Sequence, residues 1–418
     1  MSLAILILLA QNLAFGKSQP WSWLPGPTGR IFWLAVSAGF AVFMVRGVPA
    51  RIDAVIDRCL RARAWVPLLC LGNLALALYS AKHFASFGYA MPWHTIFACG
   101  LALPFLKRGN LVGSCLFSLA ILYGSIRAFP LDPLRSDMLP SIHQALKQWL
   151  DAGISPYAVF DLANGRTGMP YLPGTLFSHL PAFLLGLDLR WNQLFYRAIW
   201  FGLVILHSKR LPQDSRERDA LQFFILNPYW NFRHDLYFEA FFLLIVAFRT
   251  LPGLKPVSSA LLVFTRQWAW VLYPFFWLEK GFARGKAALA LLLAVFATAL
   301  ALRASTTLDV FLATAFSFQK KLDSAAYVGD YGLTLAPLFY SANLTRFLQP
   351  LQGALCLYLF WKAARNREQT LSFAAVALCF FVLLNMHFWL YFWLTPALWL
   401  SLSLPSVDSA SPRAEVTR

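Results

Sequence analysis

Acidic residues are almost missing from the first third of this chain. Of its 19 Asp and Glu residues, only Asp53 and Asp57 precede residue 132, and charged residues of both signs make up 13% of the 418 residues. Soluble domains are about 25% charged. Because hydrophobic residues make up 59% of the sequence, the composition argues against a soluble domain and predicts a helical membrane protein.

Paired cysteines and metal-binding motifs are missing as well. The six cysteines show no paired spacing, so the sequence predicts neither a disulfide framework nor a zinc site. Neither H-E-x-x-H nor D-x-D occurs, and no metal ligand is assigned. The net charge of +17 comes from Lys and Arg at the ends of apolar segments. This placement indicates membrane orientation and contact with anionic lipid, and it argues against a nucleic-acid partner.

Apolar segments long enough to cross a bilayer recur along nearly the whole chain. They predict an all-α polytopic membrane protein with about 11 to 14 transmembrane helices. The segments lie near residues 2–16, 30–48, 64–80, 91–106, 111–127, 171–187, 191–207, 219–233, 235–251, 257–278, 286–303, 345–361, 370–386 and 388–404. Residues 1–127 form N-terminal membrane helices, 128–404 a membrane core, and 405–418 a disordered tail.

Basic connectors predict which side each loop faces. The connectors 46–63 and 107–108 are rich in Arg and Lys, which places them in the cytoplasm and the loop near 128–170 outside. Counting the later apolar segments as successive crossings predicts a second external loop near 304–333. One connector conflicts with this count, because residues 208–218 would face outside despite four basic residues. Either that loop is an exception or one of its flanking segments does not cross.

The first external loop is the most polar part of the chain. It carries four aspartates within residues 130–173, and apolar residues at helical spacing from Met138 to Leu150 predict an amphipathic helix on the membrane surface. Asp137 precedes this helix directly. It is either a helix N-cap or a general base held where a span meets the surface.

The order of several motifs resembles the GT-C superfamily of membrane glycosyltransferases, which use polyprenyl-phosphate sugars. The motifs are an acid after a span, an interface helix, the G-x-x-P-Y turn of Gly153–Tyr157 and the Y-x-P of Tyr171–Pro173. Later matches cover the rest of roughly the last two-thirds of the chain. They are Asn227-Pro228, Arg266-Gln267 followed by Pro274, and the closing His387, Tyr391 and Pro396.

The resemblance implies an inverting transfer of a sugar, such as mannose or another hexose or pentose, from a polyprenyl-phosphate donor to a hydroxyl of a glycan or glycolipid acceptor. Asp137 is then the general base. The residues implied to bind the donor phosphate are Arg266, Lys320, Lys321 and His387. Those implied to bind the substrate are Tyr157, Arg166, Tyr171 and Gln267. A divalent cation, Mg²⁺ or Mn²⁺, is the one cofactor left open. The expected location is a bacterial inner membrane, with the site facing outward.

Two other functions fit the same sequence. Ionisable residues within apolar segments, here Arg197, Glu239 and Arg266, also line the substrate paths of transporters and flippases. A lipid-linked glycan polymerase or ligase would instead use arginines of the large external loop, namely Arg135 and Arg166.

Overall fold

The chain is mostly helical, as the sequence predicts for the all-α class. The computed structural model describes residues 6, 27–62, 66, 69, 74, 107, 109–128, 131, 138–162, 165–209, 211–212, 215–227, 231, 251, 253–315 and 334–384. Within these residues, the β-structure consists of one short hairpin.

The helices of the first half follow the apolar segments. They are α1 (Pro27–Arg46), α2 (Ala50–Arg61), α3 (Leu111–Ala128), α4 (Met138–Ala152), α5 (Pro173–Leu184), α6 (Arg190–Ser208) and α7 (Arg216–Ile225). The hairpin lies between α4 and α5. Its antiparallel strands, β1 (Phe160–Leu162) and β2 (Gly165–Thr167), pair Phe160 with Thr167 and Asp161 with Arg166.

Shorter helices and breaks are commoner in the second half. Its α-helices are α8 (Lys255–Thr265), α9 (Tyr273–Phe276), α10 (Arg284–Leu302), α11 (Leu308–Ala315), α12 (Ala336–Ser341), α13 (Leu348–Arg365) and α14 (Thr370–Leu383). Among the described residues of this half, three 3₁₀ turns lie at Gln267–Val271, Thr345–Phe347 and Arg367–Gln369. The core centres on α14, which packs against α1, α9, α13 and the first 3₁₀ turn. Small side chains such as Ala374 and Ala377 are fully buried there and let these elements approach closely.

One described helix, α10, is long and apolar enough to cross a membrane by itself. A second candidate is formed by Leu34–Arg46 together with α2, which are bent by 103° to each other. The bend follows Gly47, whose positive φ of 82° a glycine adopts without strain. After the bend, α2 presents Arg51, Arg58 and Arg61 beside an apolar face, the pattern of a helix that lies along a membrane surface.

Three basic connectors meet at one end of the structure. Arg216, at the start of α7, donates to Asp53 of α2 at 2.8 and 3.2 Å. Gln222 of α7 accepts from the backbone N–H of Gly109 at 3.0 Å and donates to the carbonyl of Lys107 at 3.0 Å. The connectors 46–63, 107–108 and 208–218 therefore lie on the same side, which we name the basic end.

The segment predicted as a span at 171–187 does not run toward the basic end. Its helix α5 has 12 residues and is about 18 Å long, against roughly 30 Å for a bilayer core. It packs antiparallel to α4, because Phe177 contacts Trp149 with ring centroids 6.0 Å apart and Phe183 contacts His143 at 5.4 Å. Both ends of α5 thus lie beside the loop near 128–170, which we call the polar segment, and α5 is shorter than the predicted span.

The predicted span at 257–278 also returns to its starting side. It breaks at Arg266, which is extended (φ −141°, ψ 133°) between α8 and the first 3₁₀ turn. The chain then turns back, so that Glu279 pairs with Lys255 at the first residue of α8. This segment is a helical hairpin with Arg266 at its tip, not the single continuous span that the sequence predicts.

The helix α6 leads from the turn after α5 to the connector 208–218. Its first residue, Arg190, pairs with Asp188 beside the polar segment, and its last, Ser208, accepts through its carbonyl from Arg218 at 2.7 Å. The connector 208–218 therefore lies at the end of α6 opposite to Asp188, with the other residues of the basic end.

Candidate functional site

The tip of the helical hairpin is the centre of the candidate site. Thr265 ends α8, and its carbonyl, which a continuing helix would bind, accepts from the Thr175 hydroxyl at 2.8 Å. Gly174 lets the two elements meet. A Cβ there would lie 2.8 Å from Thr265 Cγ2 and 3.0 Å from the carbonyl oxygen of Phe264. The start of α5 therefore holds the break open at Arg266.

Arg266 is nearly buried in this break, with 5% of its surface exposed. Its guanidinium carbon lies 5.5 Å from the centre of the Tyr171 ring, within the range of a cation–π contact. A guanidinium so placed has its position fixed before a ligand arrives. Arginine in such a site recognises phosphate through paired N–H donors.

Gln267, the next residue, ties two distant parts of the chain to the tip. Its amide nitrogen donates to the carbonyl of Pro170 at 2.8 Å and to the carbonyl of Ala315 at 2.7 Å. Pro170 ends the polar segment, and Ala315 ends α11. The two loops predicted to be external, near 128–170 and near 304–333, therefore converge on the residue that follows Arg266.

Tyr157 provides a second link between the same two loops. Its hydroxyl donates to the carbonyl of Tyr171 at 3.1 Å, and its own carbonyl accepts from Thr314 at 2.8 Å. The ring lies edge-on to Phe311 with centroids 4.9 Å apart. Burial raises the pKa of Tyr157, which keeps the hydroxyl protonated and able to donate.

Four of the predicted site residues thus come together, namely Tyr157, Tyr171, Arg266 and Gln267. Arg166 lies in β2, with its backbone opposite Asp161. Thr175, Thr314 and Gly174 were not predicted as site residues. A lone hydroxyl or glycine has no periodic pattern, although Gly174 directly follows the Tyr171–Pro173 motif and could have been suspected from that neighbour.

The other predicted site residues, Asp137, Lys320, Lys321 and His387, lie outside the described residues. One chain neighbour of the two lysines is held at the site, and one chain neighbour of His387 is held by the segment at Thr334. Ala315, whose carbonyl binds Gln267, comes shortly before the two lysines. Leu383, shortly before His387, accepts from the backbone of Leu335 at 2.8 Å and from the Thr334 hydroxyl at 3.0 Å.

A large apolar cavity of about 990 Å³ opens beside the hairpin tip. Its walls come from α8, the first 3₁₀ turn, α9, α10, α11 and the start of α5, including Phe264, Trp270 and Phe311. Polar groups gather at one end, where Arg303, Thr306 and Thr307 follow α10. The cavity has the volume and lining of a site for an elongated apolar ligand with a polar head.

No set of three or more His, Cys, Asp or Glu side chains suited to a metal ion occurs among the residues that the structure describes. Of the residues expected in a transport path, Arg197 is 1% exposed within α6, and Glu239 lies outside the described residues.

Comparison with known proteins gives no match to a family, to a curated protein or to a solved structure.

Proposed function

We propose that the chain is a polytopic membrane glycosyltransferase of the GT-C type that transfers a sugar from a polyprenyl phosphate. The observation that carries the proposal is the position of Arg266, a nearly buried guanidinium at the tip of a helical hairpin whose neighbouring residues Phe264 and Trp270 line a large apolar cavity. A lipid phosphate needs both features, a fixed cation for its head and apolar volume for its chain.

The orientation in the membrane follows from the basic end. With residues 171–187 and 257–278 returning to their starting sides, every basic connector of the chain faces the cytoplasm. The polar segment, the hairpin tip and the Thr306 loop then belong to the opposite, outer half. The hydrogen bond of 2.7 Å between Ser155 and Thr306 supports this arrangement by joining the two polar loops. In a bacterium this is the outer half of the inner membrane.

In the proposed reaction, Asp137 removes the proton from the acceptor hydroxyl, and that oxygen forms a bond to the anomeric carbon. The bond from this carbon to the phosphate oxygen breaks on the opposite face, so the anomeric configuration inverts. Arg266, with Lys320, Lys321 or His387, stabilises the negative charge that develops on the departing phosphate. Tyr157, Tyr171, Gln267 and Arg166 shape the space for the sugar.

A transporter is the second candidate, because broken helices near the middle of the membrane also form substrate sites in transporters. The break at Arg266 is such a feature. The glycosyltransferase proposal differs in requiring a new glycosidic bond, whereas a transporter leaves its substrate chemically unchanged.

A transfer assay tests the function. The full chain, purified and placed in lipid nanodiscs, is incubated with polyprenyl-phosphate donors carrying labelled mannose, other hexoses or pentoses, and with a panel of alkyl glycosides as acceptors. We expect a labelled glycoside whose new linkage has inverted configuration by NMR. Nucleotide sugars serve as the control donors and should give no product. Movement of labelled lipid across proteoliposomes without any new linkage, for all donors, would establish the transporter instead.

Cysteine labelling tests the orientation. In a variant without native cysteines, we expect Leu187→Cys to react with a membrane-impermeant maleimide only from outside the cell. Lys209→Cys and Lys280→Cys should react only after the inner face is exposed, because α5 and the 257–278 hairpin do not cross. All three positions are exposed in the structure. If both segments crossed, Leu187→Cys would be labelled from inside and Lys209→Cys from outside, the reverse pattern.

A further inference from the structure

The last two turns of α13 carry two cations that each lie over the face of an aromatic ring. The guanidinium carbon of Arg365 is 3.8 Å from the centre of the Trp361 ring, and Nζ of Lys362 is 5.2 Å from the centre of the Tyr358 ring. In each pair the cation follows its ring by one helical turn, so both pairs share one side of the helix. The two rings are stacked, with centroids 6.1 Å apart. We name these four side chains the ring–cation face.

The ring–cation face is exposed, although much of it is apolar. Tyr358 and Trp361 each have 47% of their surface exposed, and the adjacent Leu357 has 70%. Exposed aromatic rings beside cations are typical of the boundary between lipid chains and lipid head groups, where the body of the ring avoids water and its polar edge stays hydrated. The exposed rings therefore indicate a surface that is covered by lipid.

The two cations are placed to bind an anion. Within the described part of the chain, neither Lys362 nor Arg365 forms an ion pair with a carboxylate, and each contacts a ring instead. A ring face attracts a cation without neutralising its charge. The N–H groups that do not face the ring can therefore donate to an anion, and a phosphate offers acceptor oxygens to both side chains.

The position of this face in the fold is given by Phe360, whose ring lies 5.7 Å from that of Phe275 in α9. Phe275 comes shortly before Glu279, which pairs with Lys255 at the base of the helical hairpin. The ring–cation face thus lies toward the base of the hairpin. In the orientation proposed above, the base meets the cytoplasmic leaflet, which is the leaflet that carries anionic lipid.

We propose that the ring–cation face binds one anionic phospholipid, with the lipid phosphate at Lys362 and Arg365 and the acyl chains along Tyr358 and Leu357. A phospholipid supplies the anion for the two cations and also the apolar chains that cover the exposed rings. A soluble phosphate would leave the rings in water. The proposal does not rest on sugar transfer, because no residue of α13 lines the apolar cavity beside the hairpin tip.

Native mass spectrometry of the full chain tests the site. The purified chain is mixed with equal amounts of phosphatidylglycerol and phosphatidylcholine, and the lipids that each protein ion retains are counted. We expect phosphatidylglycerol to be retained in preference to phosphatidylcholine. The double variant Lys362→Gln with Arg365→Gln should retain one phosphatidylglycerol fewer, because the loss of two charge-assisted hydrogen bonds weakens that site about tenfold or more. Trp361→Leu should weaken the same site, because it removes the ring that positions Arg365.

The matched control is Lys280→Gln with Lys286→Gln. Both lysines are exposed and lie at or just before the start of α10, so their loss removes the same charge and leaves the ring–cation face intact. This control should retain phosphatidylglycerol as the unchanged chain does.

Three results would overturn the proposal: equal retention of the two lipids, an equal loss of phosphatidylglycerol in the control and the double variant, or displacement of the lipid by an equal concentration of inorganic phosphate. A lipid-free dimer that depends on the ring–cation face would overturn it too, because a second copy of the chain would then cover the rings. Lipid preference without sugar transfer would leave this site standing and remove the proposed function. Sugar transfer without lipid preference would do the opposite.

Discussion

Replacing Asp137 with Asn is expected to lower the rate of sugar transfer by about 10²- to 10⁴-fold, the contribution typical of a general base. The amide keeps the size of the side chain and can still accept a hydrogen bond, but it cannot take the proton of the acceptor hydroxyl. The loss should therefore appear in kcat, with the donor KM nearly unchanged. The measurement is transfer of labelled sugar from the polyprenyl-phosphate donor by the purified variant.

Two control variants separate catalysis from structure. Asp309→Asn removes a carboxylate from α11 and should transfer sugar at the normal rate. Asp137→Ser keeps a helix-capping oxygen but has no basic group, so it should be as slow as Asp137→Asn while unfolding at a similar temperature. If Asp137→Asn, correctly inserted, transfers sugar as fast as the unchanged chain, Asp137 is only an N-cap and the base is another residue.

The helices themselves could be predicted well from the sequence. Predicted segments such as 111–127, 191–207 and 286–303 correspond closely to α3, α6 and α10, because long apolar runs between polar or basic ends form helices in either a membrane or a core. The amphipathic spacing from Met138 likewise gives α4. Hydropathy reports which residues avoid water, and for an uninterrupted helix that is enough.

The points at which the chain reverses its direction could not be predicted in the same way. Residues 171–187 and 257–278 are as apolar as a span, yet both turn back. Hydropathy measures the length of an apolar run but does not detect a break within it. The sequence contains two weak signs of these reversals. Arg266 interrupts one run, and the four basic residues of 208–218 already conflicted with a crossing at 171–187.

The candidate site could likewise be predicted only in part. Tyr157, Tyr171 and Gln267 were found through the order of motifs along the chain, and the structure brings them together at the hairpin tip. The groups that hold them there are mostly backbone carbonyls, such as those of Pro170 and Ala315. Every residue has a carbonyl, so no sequence pattern marks the ones that a site will use. Tertiary packing alone selects them.

Replacing Arg266 with Met is expected to reduce kcat by about 10²- to 10³-fold, the usual effect of removing one fixed donor that stabilises transition-state charge. Met retains the apolar stem and comparable volume, so packing beside Tyr171 is largely preserved. The kcat of Arg266→Lys should lie between those of the unchanged chain and Arg266→Met, because lysine keeps the charge but loses the paired N–H donors that match a phosphate. Transfer kinetics with the polyprenyl-phosphate donor, and thermal unfolding of each variant, provide the measurements.

Arg284→Met is the matched control for this substitution. Arg284 is an exposed arginine whose guanidinium donates to the carbonyl of Trp277 at 2.8 and 3.0 Å at the opposite end of the hairpin. Its loss removes the same charge and the same number of N–H donors, but far from the proposed phosphate, so transfer should change less than about threefold, roughly 0.7 kcal/mol or less. Equal losses in the two variants would mean that Arg266 acts through stability. A normal rate in Arg266→Met would mean that the donor phosphate binds elsewhere. Arg266 would then contribute only to the packing of the fold.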